Sequence, residues 1–178
     1  SVNDMNAMDT LFYETDAYYI FDRGYVDYAR LYKITQHSAT FVVRAKSNLK
    51  FNRMYSRKHD KSTGVKSDQI GKLSGFYVSK KYPKKLRKIK FYDQETDRAF
   101  VFLTNTFELT AEQVAFLYKN RWQVELFFKW IKQHLRIKAF FGTSENAVKT
   151  QVWIAVSVYV LIAIMKKRLD VKASLYNI

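Results

Sequence analysis

A mixed α/β fold follows from three stretches of this sequence. Residues 17–45 read as strand, helix, strand, which suggests a βαβ unit with a parallel pairing. Residues 75–104 break into short alternating apolar patches separated by turn-like pieces. Thr110 to Leu135, TAEQVAFLYKNRWQVELFFKWIKQHL, contains no Gly or Pro and reads as one long helix.

The opening residues, SVNDMNAMDT, are polar and acidic and suggest a loop and a short helix, with no basic start and apolar run of the kind a signal peptide needs. Lacking an initiator Met, the chain reads as a piece of a longer protein. Ala17 to Phe21, AYYIF, is a compact apolar run suited to a buried strand. It ends in Asp22-Arg23-Gly24-Tyr25. An Asp at the C-terminal end of a buried strand is where open α/β sheets expose functional groups, although an Asp ahead of the helix-like VDYARLYKI is equally a helix cap. Tyr25 to His37 reads as a helix and Ala39 to Ala45 as the next strand.

From Arg44 to Lys90 the character changes. The whole chain carries 31 Lys and Arg against 16 acidic residues, a net charge of +15. Within this span stand 16 of those cations and only Asp60 and Asp68, so 14 of the 15 excess charges lie here. Gly75 to Val78, Ile89 to Tyr92 and Ala99 to Thr104 look like strands, with a hairpin turn at Asp93 to Asp97. A basic segment interleaved with aromatic residues suits a nucleic-acid backbone, since Lys and Arg neutralise phosphates and rings can stack on exposed bases. The cations expected to form this surface are Arg44, Lys46, Lys80, Lys81, Lys84, Lys85, Arg87 and Lys88.

The long helix begins with a capping-box pair, Thr110 and Gln113. At about 100° per residue, with Tyr118 at 0°, Arg121 falls near −60°, Glu125 near −20° and Lys132 near −40°. Four polar residues thus line one face over about four turns, where a simple ion pair needs only one turn. The helix carries enough apolar surface to be packed on more than one side. Further on, Val152 to Met165 is a run of 14 apolar or near-apolar residues. A membrane span needs about 18 or more, so a buried helix covering the sheet is expected and no membrane partner. The chain has no Cys, which excludes disulfides and thiolate metal sites. His37, His59 and His134 show no ligand spacing, and no glycine-rich phosphate loop is present.

Tyr118-x2-Arg121-x3-Glu125-x6-Lys132 resembles the Y-R-E-K signature of bacterial insertion-sequence transposases of the DDE class, the insertion-sequence-4 family, and Asp22-Arg-Gly-Tyr looks like the local context of that family's second catalytic Asp. The resemblance covers about residues 17–165. It implies a ribonuclease H-like core, partial here, over residues 1–44 and 108–170, interrupted at 45–107 by an all-β basic insertion and followed by a truncated tail at 171–178. It implies that Asp22 and Glu125 are catalytic and hold two Mg²⁺ ions, with Mn²⁺ able to substitute. Tyr118, Arg121 and Lys132 would then bind DNA phosphates at the cut. The implied activity is cut-and-paste transposition, with cleavage at the ends of the element and strand transfer into target double-stranded DNA. Action as a synaptic homodimer in the bacterial cytoplasm, at the nucleoid, is implied as well. Only 21 residues precede Asp22, too few for the strand that bears the first catalytic Asp, so that residue and the N-terminal DNA-binding domain are expected upstream and this fragment is expected to be inactive alone. The alternatives are a non-enzymatic DNA-binding remnant and a related ribonuclease H-like nuclease.

Overall fold

The computed structural model describes residues 7–134, 142 and 144–173; Asp4, Leu135 and the end of the tail lie outside them. The elements are α1 (Ala7–Thr10), β1 (Tyr18–Phe21), α2 (Tyr28–Gln36), β2 (Thr40–Arg44), β3 (Phe51–Ser56), β4 (Val65–Leu73), α3 (Phe76–Lys81), β5 (Leu86–Asp93), β6 (Arg98–Thr104), α4 (Ala111–His134) and α5 (Glu145–Arg168). Short 3₁₀ turns occupy Arg23–Tyr25 and Lys61–Thr63. The chain divides into two compact units, residues 1–121 and 122–178.

The first unit is built on a six-stranded sheet in the order β1-β2-β6-β5-β4-β3. β1 and β2 are parallel, with Tyr18 opposite Thr40 and Phe21 opposite Val43, and α2 makes the crossover. Every other pairing is antiparallel. Side chains alternate across the pleat. Phe41, Val43 and Leu103 face a cluster with Leu31 and Ile34 of α2. Val42 and Phe102 point the other way, to Val114, Ala115 and Tyr118 of α4. Both faces of β2 are therefore covered, which is why it reads as a continuous apolar run rather than an alternating one.

Residues 45–107 join this same sheet, since β6 lies between β2 and β5. One expectation for the segment is corrected. Gly75 to Val78 is not a strand, because α3 begins at Phe76. Gly75, at φ +105°, turns the chain into it. One turn on, the Lys80 ammonium lies 4.0 Å from the centroid of the Phe76 ring. The segment is therefore not all-β.

The capping box at the start of α4 forms in both directions. The Gln113 amide donates to Thr110 Oγ1 at 3.2 Å, and the Thr110 amide to Gln113 Oε1 at 2.8 Å.

In the second unit, the later turns of α4 pack against α5. Trp130, Ile131 and Ala155 form the buried centre, with Phe127, Val158, Tyr159 and Ile162 around it. Tyr159 meets the edges of both Phe127 (4.7 Å between centroids) and Trp130 (5.3 Å). The expectation that Val152 to Met165 is a buried run is overturned: Ala155 is the buried residue of α5, while Trp153, Leu161 and Met165 are 58–69% exposed. Contact along one helix covers a single stripe, and the apolar character of α5 runs around its whole circumference. By length and composition α5 could cross a membrane.

Candidate active site

β1 ends at Phe21, and the next residue, Asp22, caps the 3₁₀ turn Arg23–Tyr25 with its own side chain. Asp22 therefore stands at the strand end and caps only this short turn; the helix it was weighed as capping, α2, is capped by Asp27, whose Oδ1 accepts from the Arg30 amide at 3.0 Å. Asp22 Oδ1 accepts from the Arg23 amide at 2.6 Å and from the Tyr118 hydroxyl at 3.0 Å. Its Oδ2 lies 3.9 Å from a guanidinium nitrogen of Arg121. The side chain remains 43% exposed. Burial alone would raise the Asp22 pKa. The Arg23 amide, the Tyr118 hydroxyl and the positive charges of Arg121 and Arg44 outweigh it and hold the carboxyl below its ordinary value. Tyr118 moves the opposite way, because burial and the neighbouring Asp22 carboxylate both disfavour its phenolate.

Tyr118 reaches Asp22 because α4 lies across the sheet at Val114, Ala115 and Tyr118, where the Tyr118 ring packs on Phe102 at 4.8 Å between centroids. Arg121 follows one turn later, with its guanidinium carbon 5.6 Å from the centroid of that tyrosine ring. Arg44, at the end of β2, lies 5.1 Å from the centroid of Phe100 and contributes positive charge to the same strand end. Two of the four helix residues singled out in the sequence thus converge on Asp22. The other two, Glu125 and Lys132, are exposed on the later turns of α4, in the second unit.

A carboxylate oxygen has two lone-pair positions. Both on Oδ1 are taken, by the Arg23 amide and the tyrosine hydroxyl, whereas Oδ2 has only the distant arginine. An ionised, partly exposed carboxylate with one available oxygen fits a hard divalent cation as a single ligand. Among the described residues no three His, Cys, Asp or Glu side chains come together.

The expected DNA-facing cations separate into two kinds. Lys46, Lys80, Lys81, Lys84 and Lys85 are exposed. Lys46 also donates to the Val26 carbonyl at 3.1 Å. Lys88 is half-buried over the Phe51 ring at 4.8 Å, and desolvation, then Arg53, push its pKa down. Arg87 is the correction. It is 1% exposed and grips Asp68 with two bonds, Nε to Oδ1 at 2.8 Å and a terminal nitrogen to Oδ2 at 2.7 Å. Its other terminal nitrogen donates to the Leu109 carbonyl at 2.5 Å. Arg57 adds a bond to the Phe107 carbonyl at 2.6 Å and lies 3.9 Å from Asp68. Together these side chains fasten the segment between β6 and α4. Asp68 carries no signal of this role in the sequence except as one of two acids in a strongly basic stretch.

Comparison with known proteins supports the resemblance to DDE-class transposases. Residues 1–161 match the family described as the transposase DDE domain. A protein named as a transposase from Sinorhizobium fredii is 37% identical over 167 residues, covering 92% of this chain and 47% of its own length. One named as the transposase of insertion sequence element IS5377 from Geobacillus stearothermophilus is 33% identical over 143 residues, covering 79% and 37%. A third, named for insertion sequence element IS4SA of Synechocystis, is 22% identical over 147 residues, covering 82% and 40%. The chain spans about half or less of the length of these relatives. From the family match and the bacterial relatives together, the chain belongs to the transposase DDE domain family.

Proposed function

We propose that this chain is the C-terminal part of the ribonuclease H-like catalytic core of a cut-and-paste DNA transposase, of the insertion-sequence-4 type. One observation carries the reading: Asp22, at the end of a parallel strand, is met by Tyr118 and Arg121, the first two members of the Tyr-Arg-Glu-Lys helix. On that helix Glu125 stands about 20° from Tyr118 and 40° from Arg121 by helical rotation. Asp22 and Glu125 would hold divalent metal, a pair of Mg²⁺ ions with Mn²⁺ able to substitute. Such ions, when bound, activate a water or 3′-hydroxyl and stabilise the leaving oxygen of an in-line phosphodiester displacement.

The chain's own residues prepare that chemistry. Tyr118 and the Arg23 amide fix the rotation of the Asp22 carboxylate and leave Oδ2 available. Arg121 supplies a planar fork for a phosphate near the cut, and Lys132 a point charge. Arg44 adds positive charge at the end of β2. Residues 45–107 act as the basic insertion that tracks double-stranded DNA, through Lys46, Lys80, Lys81, Lys84, Lys85 and Lys88. The first catalytic Asp belongs upstream, and the parent works as a homodimer that brings two element ends together in the bacterial cytoplasm.

The test uses the full reading frame with labelled element-end DNA and Mg²⁺, beside Asp22→Asn and Glu125→Gln. Cleavage by the wild type, lost in both variants while binding persists, supports the reading. Equal cleavage by all three removes both carboxylates from the chemistry. Binding without cleavage by any of them favours a DNA-binding remnant.

A further inference from the structure

At the end of β2 away from Asp22, the structure holds a hollow of about 560 Å³. Its position follows from the sheet register: β2 starts at Thr40 and ends beside Asp22, while Thr35 and Asn105, which line the hollow, sit where α2 ends and β6 runs out. The aromatic residues Tyr55 and Phe107 line it and are 50% and 38% exposed. Lys72, Lys84 and Lys85, all exposed, also line it, and among the described residues no Asp or Glu does. Tyr82 forms part of the wall and is 1% exposed.

We infer that this hollow is a nucleotide-binding site, taking the base of an unpaired nucleotide against Tyr55 and Phe107 and its phosphate on Lys72, Lys84 and Lys85. The charge is one-sided, which selects an anion, and the rings supply a flat apolar surface, which selects a planar group. The volume falls within the range of small-molecule sites. The polar wall is already satisfied from within. Thr35 and Tyr82 share a hydrogen bond of 2.8 Å, and Asn105 donates to Thr35 and Ala39 while accepting from the Phe41 amide. Burial pushes Tyr82 up to about 12, so it stays neutral beside a phosphate. With its wall donors engaged, the site holds a base by stacking and has few groups to read its edge, so it is tolerant of sequence. The inference rests on the proposal that this chain handles DNA, and adds a contact to unpaired nucleotide remote from the carboxylate.

The experiment titrates the 178-residue chain with a short fluorescein-labelled oligothymidylate, with blunt duplex DNA, and with dTMP as competitor. Loss of one stacked ring weakens single-strand binding roughly tenfold, so Tyr55→Ala and Phe107→Ala are each expected to do so, with Tyr55→Trp restoring affinity and oligodeoxyadenylate binding comparably. Lys84→Gln with Lys85→Gln is expected to weaken binding and flatten its salt dependence. Duplex binding by the ring variants should match wild type. Full competition by dTMP at the affinity of the oligonucleotide assigns the site to free nucleotide, and weak competition assigns it to a DNA strand; either supports the site. Single-strand binding unchanged in both ring variants, with duplex binding retained, overturns the nucleotide site and leaves the DNA reading standing. Wild type that binds neither DNA overturns both.

Discussion

Asp68 and Asp22 both face arginines, and they do opposite things. Asp68 is 2% exposed, takes two bonds from Arg87, one to each oxygen, and has Arg57 3.9 Å from Oδ2. Asp22 keeps a 43% exposed side chain, one oxygen filled by an amide and a hydroxyl, and an arginine only at 3.9 Å. A bidentate pair buried with both partners is shut away from solvent and ligand and serves the fold. An open carboxylate, held ionised with an oxygen to spare, can serve chemistry. Geometry, rather than the presence of an arginine, separates the two.

The largest effect expected from breaking this contrast is on stability at Arg87. Arg87→Met strands a buried carboxylate and should cost roughly 3–5 kcal/mol in urea unfolding. The double change Asp68→Leu with Arg87→Met should be milder than the single one, because no charge is left without its partner. A single variant as stable as wild type would show that the pair does not hold the fold.

Tyr118→Phe removes one hydrogen bond to Asp22 and should cost about 1 kcal/mol. It should also raise the Asp22 pKa, read by carboxyl carbon NMR titration. The sign follows from the depressed value. The interactions that depress the Asp22 pKa stabilise the fold above its unfolded-state value, and that contribution is lost as pH falls through the lower folded value. An unchanged titration in Tyr118→Phe would remove the phenol from control of this carboxylate.

Thr110→Ala should cost about 1 kcal/mol, the usual worth of a helix cap. Smallest of all, Lys84→Ala should change stability by less than about 0.5 kcal/mol, as an exposed substitution does. Its effect should appear instead in DNA binding, as a salt dependence whose slope is shallower by about 0.9 for each phosphate that the lysine no longer neutralises.

The parts most legible in the sequence were those whose cause is local. β2 announced itself as an apolar run because both its faces are covered; β1, read as a buried strand, is an edge strand whose residues are only partly buried or, at Tyr18, exposed. α4 was legible from its capping box and its lack of breakers. β3 and β4 gave no such signal. β3 is an edge strand, exposed along most of its length, and β4 interrupts its pattern with the buried Asp68. α3 misled because Phe76, Tyr77 and Val78 favour strands by type, while Gly75 and the tertiary setting make a helix.

The sequence by itself determined the pattern of the candidate site: an Asp after an apolar strand and four polar residues on one helix face, since helical rotation is a property of the chain alone. Tertiary structure decided which charges are free to act. Arg87 and Lys88 are neighbours in a run of cations, yet one is sealed against Asp68 and the other half-buried over Phe51. That outcome depends on which strand lies alongside: Arg87 meets Asp68, 19 residues away, and Asp22 meets Tyr118, 96 residues away. Burial and hydrogen-bond geometry, set by those distant partners, turned one carboxylate into a clasp and left the other available.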